Sequence, residues 1–120
     1  MIDKDSFTKC NISEIIEVIK GDIIELAINK KVDAIVNAAK PSLMGGNGVD
    51  GAIHEKMSKL YNDSNYFNKQ IKRELDGEKE LADNAVRCKR GEAKITNGHI
   101  ELARYIRHAV GPKYDGGSEC

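Results

Sequence analysis

The sequence predicts an α/β fold with a parallel sheet, on the basis of two observations. A β-branched run at residues 15–19 is followed by a helical pattern at 23–29 and a nearly continuous apolar run at 32–39. A strand, a helix and a second strand within about 25 residues form a β-α-β unit with a right-handed crossover. The unbroken apolar run is typical of a strand buried on both faces, as in a parallel sheet.

Turn and charge signals bound the first elements. Residues 15–19 (IIEVI) are predicted as a strand because they are rich in isoleucine and valine and end at a glycine-containing turn. Residues 23–29 place apolar side chains at helical spacing, and two lysines follow, where cations favour the end of a helix. Residues 32–39 then form the second strand.

A loop and a longer helix come next. Residues 40–48 contain one proline and three glycines, which predicts a loop. Residues 49–60 are predicted as a helix, because apolar side chains recur at the spacing of one buried face. These side chains are Val49, Ile53, Met57 and Leu60.

The rest of the chain is charged and then apolar again. Residues 62–90 are rich in charge, which predicts one or two surface helices with a break at 76–77. They form either a solvated face or an interaction surface. Residues 92–96 and 105–110 are predicted as strands separated by a turn at 97–98.

Composition predicts one cytoplasmic domain over residues 1–120. Hydrophobic residues make up 40% and charged residues 32%, as in globular proteins. The net charge is zero, so the basic excess typical of nucleic-acid binders is missing. No apolar run approaches the ~20 residues of a membrane span. The three cysteines are not spaced as metal ligands, and we expect neither a metal nor another cofactor.

The glycine-rich stretch at residues 45–48 lies between a predicted strand and a predicted helix. Glycine backbone can adopt positive φ and approach a ligand closely, and free N–H groups at a helix start attract phosphate. Parallel sheets bind ligands at the carboxyl ends of their strands, which favours a phosphate-binding loop. The alternative is a plain tight turn.

Four polar side chains are candidates for chemistry. Asp50 and His54 are four residues apart and share one helix face, so the carboxylate either activates water beside a ligand or is simply a favourable charge in the first turn. Asn37 ends a buried strand and requires partners, which are backbone groups or ligand hydroxyls. Asp22 either caps the next helix or accepts a hydrogen bond from a base.

Several segments, taken together, resemble the macrodomain family in order and spacing. They are KGDI at 20–23, VDAIVNAA at 32–39, the glycine-rich loop, GVDGAIH at 48–54, CKRGEAKIT at 88–96 and IRHAVGP at 106–112. The chain is most similar to the MacroD-type enzymes, which remove ADP-ribose from proteins and deacetylate O-acetyl-ADP-ribose. The resemblance implies a three-layer α/β/α fold with a mixed, largely parallel sheet, and ADP-ribose or ADP-ribosylated protein as the ligand.

The resemblance also implies the role of each site residue. Asp22 would hold the adenine amino group beside the backbone of Ile23, and Asp50 would act in hydrolysis without a metal. The loop at 45–49 would wrap the diphosphate and the distal ribose. The implied ligand-binding residues are Asp22, Ile23, Asn37, Lys40, Gly45, Gly46, Asn47, Gly48 and Val49, and the implied catalytic residues are Asp50 and His54.

Two positions depart from the family pattern. Lys40 stands where the second asparagine of the family's Asn-Ala-Ala-Asn run contacts the distal ribose, and lysine cannot accept a hydrogen bond. Asn47 stands where glycine is usual, a mild change because asparagine tolerates positive φ. The resemblance therefore implies either a hydrolase or a module that binds ADP-ribose without cleaving it. A phosphate site for another nucleotide is a further alternative.

The chain is shorter than the family's fold by several elements. We expect it to be the N-terminal part of a longer protein, in which further strands and a second phosphate loop complete the sheet. If the protein ended at residue 120, the open sheet edge would favour instability or oligomerisation. A fragment without activity of its own is therefore also an alternative.

Overall fold

The computed structural model describes residues 15–112 and is centred on a three-stranded sheet. The strands are β1 (Ala34–Ala38), β2 (Ala93–His99) and β3 (Ala103–Ala109), in the order β1-β3-β2. β1 pairs in parallel with β3, and β2 pairs antiparallel with β3 as a hairpin. The mixed sheet agrees with the predicted fold class.

The helices are found close to where the sequence predicts them. They are α1 (Ile23–Lys30), α2 (Gly48–Tyr61) and α3 (Tyr66–Ile71), with a π-helical turn (Lys72–Asp76) and a 3₁₀ turn (Gly77–Lys79) after α3. α1 and α2 both end at a residue with left-handed backbone, and the predicted break falls at the start of the 3₁₀ turn. No helix within residues 15–112 combines the length and apolar character that crossing a membrane requires.

The core lies between one face of the sheet and the helices. Ile35 of β1 and Ile106 of β3 pack there with Ile53 and Met57 of α2 and with Phe67 of α3. This burial stabilises α2, because Ile53 and Met57 on one face of the helix are removed from water, whereas Val49 at its start is 36% exposed. The same packing holds the carboxyl end of β1 against the first turn of α2.

The prediction that residues 32–39 are buried on both faces was wrong. Along β1, buried and exposed side chains alternate, with Ile35 and Asn37 buried and Val36 60% exposed. Alternation is the pattern of a strand with one covered face, and the described helices lie on that face. Ile95 and Tyr105 extend the exposed face across the other two strands.

Two further predictions were wrong. Residues 16–20 form no strand and are exposed, because no described strand pairs with them; the parallel partner of β1 is β3. The turn predicted at 97–98 lies inside β2, and the chain reverses at 100–102 instead. Gly98 permits this pairing, since a Cβ there would clash with the Ala103 carbonyl oxygen. Cys88 is buried and free, whereas Cys10 and Cys120 lie outside the described residues.

Candidate functional site

The glycine-rich loop joins the carboxyl end of β1 to α2 and packs on its first turn. Gly45 has φ +104 and Gly48 φ +63, values that side chains rarely adopt. A Cβ at Gly51 in α2 would lie 2.6 Å from the carbonyl oxygen of Gly46. The approach of backbone to helix therefore depends on glycine at position 51.

Beneath this loop lies a buried polar cluster. Asn37 Nδ2 of β1 donates to Asp50 Oδ1 at 2.8 Å and lies 3.2 Å from His108 Nδ1 of β3. All three side chains are buried. The parallel pairing produces this meeting, because it places Asn37 opposite His108 in register.

His54 contacts the cluster from the second turn of α2. Its Nε2 lies 3.3 Å from Asp50 Oδ1, a close contact without the geometry of a hydrogen bond. Its ring packs on Phe67, whose other neighbour is the His108 ring, at centroid distances of 4.8 and 5.6 Å. The predicted pairing of Asp50 and His54 on one helix face is thus present.

The environment of Asp50 keeps it ionised. Burial by itself raises the pKa of this carboxyl, but the His54 ring and the Asn37 amide outweigh burial and lower the pKa below its ordinary value. Asp50 is therefore a carboxylate at neutral pH. Such a group is a hydrogen-bond acceptor of low basicity.

Three atoms of the cluster have no hydrogen-bond partner within the described residues. They are Asn37 Oδ1, Asp50 Oδ2 and His54 Nε2. Buried polar atoms are nearly always paired in folded proteins, so three unpaired atoms in one cluster indicate a place for a polar ligand or water. Asp50 Oδ2 faces the loop, since a Cβ at Gly46 would lie 3.1 Å from it.

His108 and Thr96 complete the cluster, and the sequence did not single them out as site residues. His108 Nε2 lies 2.9 Å from Thr96 Oγ1 of β2, and both side chains are buried. Burial lowers the pKa of His108 to about 4, so the ring is neutral at physiological pH. The one available signal was the position of His108 in the segment IRHAVGP.

A buried ion pair braces the start of the loop. Arg87 Nε and Nη2 both donate to the Asp76 carboxylate at 2.9 Å. The same arginine donates through Nη1 to the Ser42 carbonyl at 3.0 Å, and its backbone N–H donates to the Pro41 carbonyl at 2.8 Å. Leu43, which follows, is buried with φ +62, a conformation that such anchoring helps to hold.

The remaining predicted residues lie around the loop or apart from it. Lys40 is exposed, and its Cε lies 3.0 Å from the position of a Cβ at Gly46, so it borders the same opening as Asp50. Asn47 and Val49 are exposed at the start of α2, and the Asn47 side chain makes no capping bond. Among the described residues, no three histidine, cysteine or acidic side chains are grouped to hold a metal ion.

Asp22 and Ile23 lie outside the polar cluster. Asp22 Oδ1 caps α1 by accepting from the N–H groups of Ile24 and Glu25, at 2.8 and 3.2 Å. The capping alternative raised from the sequence is therefore realised. Asp22 also borders a shallow surface groove with Ala52 of α2, two residues beyond Asp50.

The sequence matches the family model described as Macro domain over residues 36–120. A Macro domain-containing protein of Methanosarcina mazei is 39% identical over 104 residues, which cover 87% of this chain and 44% of that protein. One from Chlorobaculum tepidum is 44% identical over 105 residues, covering 87% of this chain and 48% of that protein. The chain thus spans about half the length of the curated relatives it matches.

Solved structures also match. The Trypanosoma brucei macrodomain in complex with ADP-ribose is 36% identical with a TM-score of 0.44, covering 68% of this chain and 28% of that one. The Oceanobacillus iheyensis macrodomain with ADP is 36% identical with a TM-score of 0.49, covering 72% of this chain and 40% of that one.

Proposed function

The chain belongs to the macrodomain family, and on that premise we propose that the buried cluster and the glycine-rich loop bind ADP-ribose. One observation carries the proposal. Asn37 Oδ1 and Asp50 Oδ2 are buried acceptors without partners within residues 15–112, beside a loop suited to phosphate. A sugar brings hydroxyl donors for both atoms, and a diphosphate attached to that sugar would lie along the loop.

The loop supports the phosphate part of the proposal. Within the described residues, the backbone N–H groups of Gly45, Gly46 and Asn47 donate no hydrogen bond. They precede α2, whose N-terminus favours a negative charge. Lys40 at the edge of the same opening adds a cation that can pair with phosphate.

The adenine part of the ligand would extend toward α1. The resemblance assigns the adenine amino group to Asp22, and that carboxylate borders the groove beside α2. Its Oδ1 is occupied by the cap, while Oδ2 makes no hydrogen bond within residues 15–112. Oδ2 is therefore the atom that would accept from the base.

Hydrolysis of mono-ADP-ribosyl esters or O-acetyl-ADP-ribose is the second candidate function. The observation that favours it is the ionised Asp50 with Oδ2 directed at the loop. Because its pKa is lowered, Asp50 is a weak base, and it would orient an attacking water by accepting its hydrogen bond. Lys40 favours binding without cleavage, since it replaces an acceptor by a donor where the distal ribose would be oriented.

Calorimetric titration of the natural full-length protein tests the binding proposal. ADP-ribose is expected to bind more tightly than ADP, because only ADP-ribose carries the second ribose for Asn37 and Asp50. AMP and ATP serve as competitors. Equal affinity for ADP and ADP-ribose would show that the cluster does not contact the ligand, and tighter binding of ATP would favour a site for another nucleotide.

A further inference from the structure

His108 is the ring in the cluster that contacts side chains of both β1 and β2. Its Nδ1 lies 3.2 Å from Asn37 Nδ2, and its Nε2 lies 2.9 Å from Thr96 Oγ1. Its ring is fully buried. The two contacts together determine where its proton lies.

The donors and acceptors around His108 allow only one position for the proton of its neutral ring. An amide nitrogen is a donor only, so Asn37 Nδ2 requires an acceptor at His108 Nδ1. The proton of the neutral ring must then be on Nε2, from which it donates to Thr96 Oγ1. Asn37 Nδ2 thereby directs one hydrogen to Asp50 Oδ1 and the other to His108, which leaves its amide oxygen free.

We propose that His108 is a positioning residue: with Thr96 holding its Nε2–H, its unprotonated Nδ1 fixes the Asn37 amide with the oxygen toward the ligand. This inference rests on the proposed function. It adds that the cluster presents two acceptors, Asn37 Oδ1 and Asp50 Oδ2, so the ligand must offer hydroxyl groups there and not an anion. The phosphate would then lie against the backbone N–H groups of the loop and not against the Asn37 oxygen.

Other charged groups around the ring agree with this arrangement. Asp50 is linked to the ring by Asn37, and His54 is separated from it by Phe67. Lys94 of β2 is paired with His108 in register, but its side chain is exposed. A protonated Nδ1 would place two donors 3.2 Å apart in a buried site, which burial makes costly. Burial keeps the ring neutral, with a pKa of about 4.

Nitrogen-15 NMR of the histidine rings in the full-length protein tests the tautomer. At pH 7, His108 is expected to carry its proton on Nε2, with the shift of an unprotonated nitrogen at Nδ1. A ring protonated on Nδ1, or on both nitrogens, would overturn the proposal. This measurement requires no ligand, so it decides the tautomer even if the protein does not bind ADP-ribose.

A pair of substitutions at Thr96 tests the positioning role. Thr96→Val keeps the shape but removes the acceptor for Nε2–H, and ADP-ribose affinity should fall about tenfold, the effect of one lost hydrogen bond in a buried site. Thr96→Ser should restore it. Ile106→Val, on the same buried face, is the matched packing control. If Thr96→Val weakens binding no more than Ile106→Val does, His108 does not position Asn37; if the wild type does not bind at all, the proposed function fails separately.

Discussion

Asn37 Nδ2 donates to Asp50 Oδ1 at 2.8 Å and so joins the end of β1 to the first turn of α2. The bond connects two segments whose joined residues are 13 apart in the sequence. It orients the carboxylate, and it leaves one acceptor on each side chain without a partner among the described residues.

Removal of the amide should weaken sugar binding selectively. Asn37→Ala takes away the donor to Asp50 and one ligand acceptor, so ADP-ribose affinity should fall roughly tenfold to a hundredfold, as expected for one to two polar contacts in a buried site. Affinity for ADP should change little. Calorimetry with both ligands measures the difference, and an equal loss for ADP would point to a general structural effect.

The charge of Asp50 should matter for turnover more than for binding. Asp50→Asn keeps the volume and can still accept from Asn37, but it lacks the negative charge that orients water. Hydrolysis of an ADP-ribosylated substrate should fall about a hundredfold or more, with ADP-ribose affinity within about tenfold of wild type. Glu78→Gln, exposed in the 3₁₀ turn after α3, is the control. Turnover that survives Asp50→Asn would remove this carboxylate from the reaction.

Lys40 should decide between hydrolase and binding module. Lys40→Asn restores an acceptor beside Asp50 and Gly46, so a protein that hydrolyses slowly should gain roughly tenfold in rate through better orientation of the substrate. Lys79→Asn, exposed in the 3₁₀ turn after α3, should have no effect. Rates of ADP-ribose release measured at saturating substrate test this, and no gain at position 40 would mean that lysine is not the defect.

Gly51 should be intolerant of the smallest side chain. Helix propensity alone predicts that Gly51→Ala stabilises α2 by roughly 0.5–1 kcal/mol. The 2.6 Å approach of its Cβ to the Gly46 carbonyl predicts the opposite, a loss of about 1–3 kcal/mol in the free energy of unfolding. Gly111→Ala, where nothing lies within 4 Å, is the control. Urea unfolding of both variants gives the sign, and a stabilised Gly51→Ala would refute the close packing.

Stability should depend on pH through His108. Its pKa is lowered from 6.5 to about 4 on folding, so between those values the unfolded chain binds a proton that the folded protein does not. Stability is therefore complete above pH 6.5 and decreases as the pH falls toward 4, by about 3 kcal/mol at most. The lowered pKa of Asp50 acts in a separate window, below 3.8.

Urea unfolding at pH 7 and pH 4.5 measures this change. His108→Gln, which keeps an acceptor for Asn37 but does not titrate, is expected to lose less stability than wild type between the two values. An equal loss in both proteins would assign the acid sensitivity to other groups.

Local pattern was sufficient for most elements and for part of the site. Helical spacing placed α1 and α2 to within about two residues, as is usual for strongly periodic segments. The glycines predicted the loop between β1 and α2. The four-residue spacing of Asp50 and His54 predicted their contact, because side chains at that spacing share one helix face.

The local sequence pattern gave wrong predictions where an element depends on contacts with residues distant in the sequence. An isoleucine-rich segment at 15–19 has the composition of a strand, but a strand exists only when another pairs with it. An apolar run at 32–39 cannot show which of its faces the helices cover. The turn expected at 97–98 moved because the register of β2 against β3 is set by packing along the whole hairpin.

The sequence by itself determined the α/β class, the main helices, the loop and the identity of Asn37, Asp50 and His54 as candidates. The tertiary structure alone decided that His108 and Thr96 join them, that Asp22 caps α1, and which atoms remain without partners. The physical reason is that hydrogen bonds in the cluster cross 12 to 71 residues of sequence. Local periodicity cannot predict such contacts, because they form only when β1 pairs with β3 and α2 packs on the sheet.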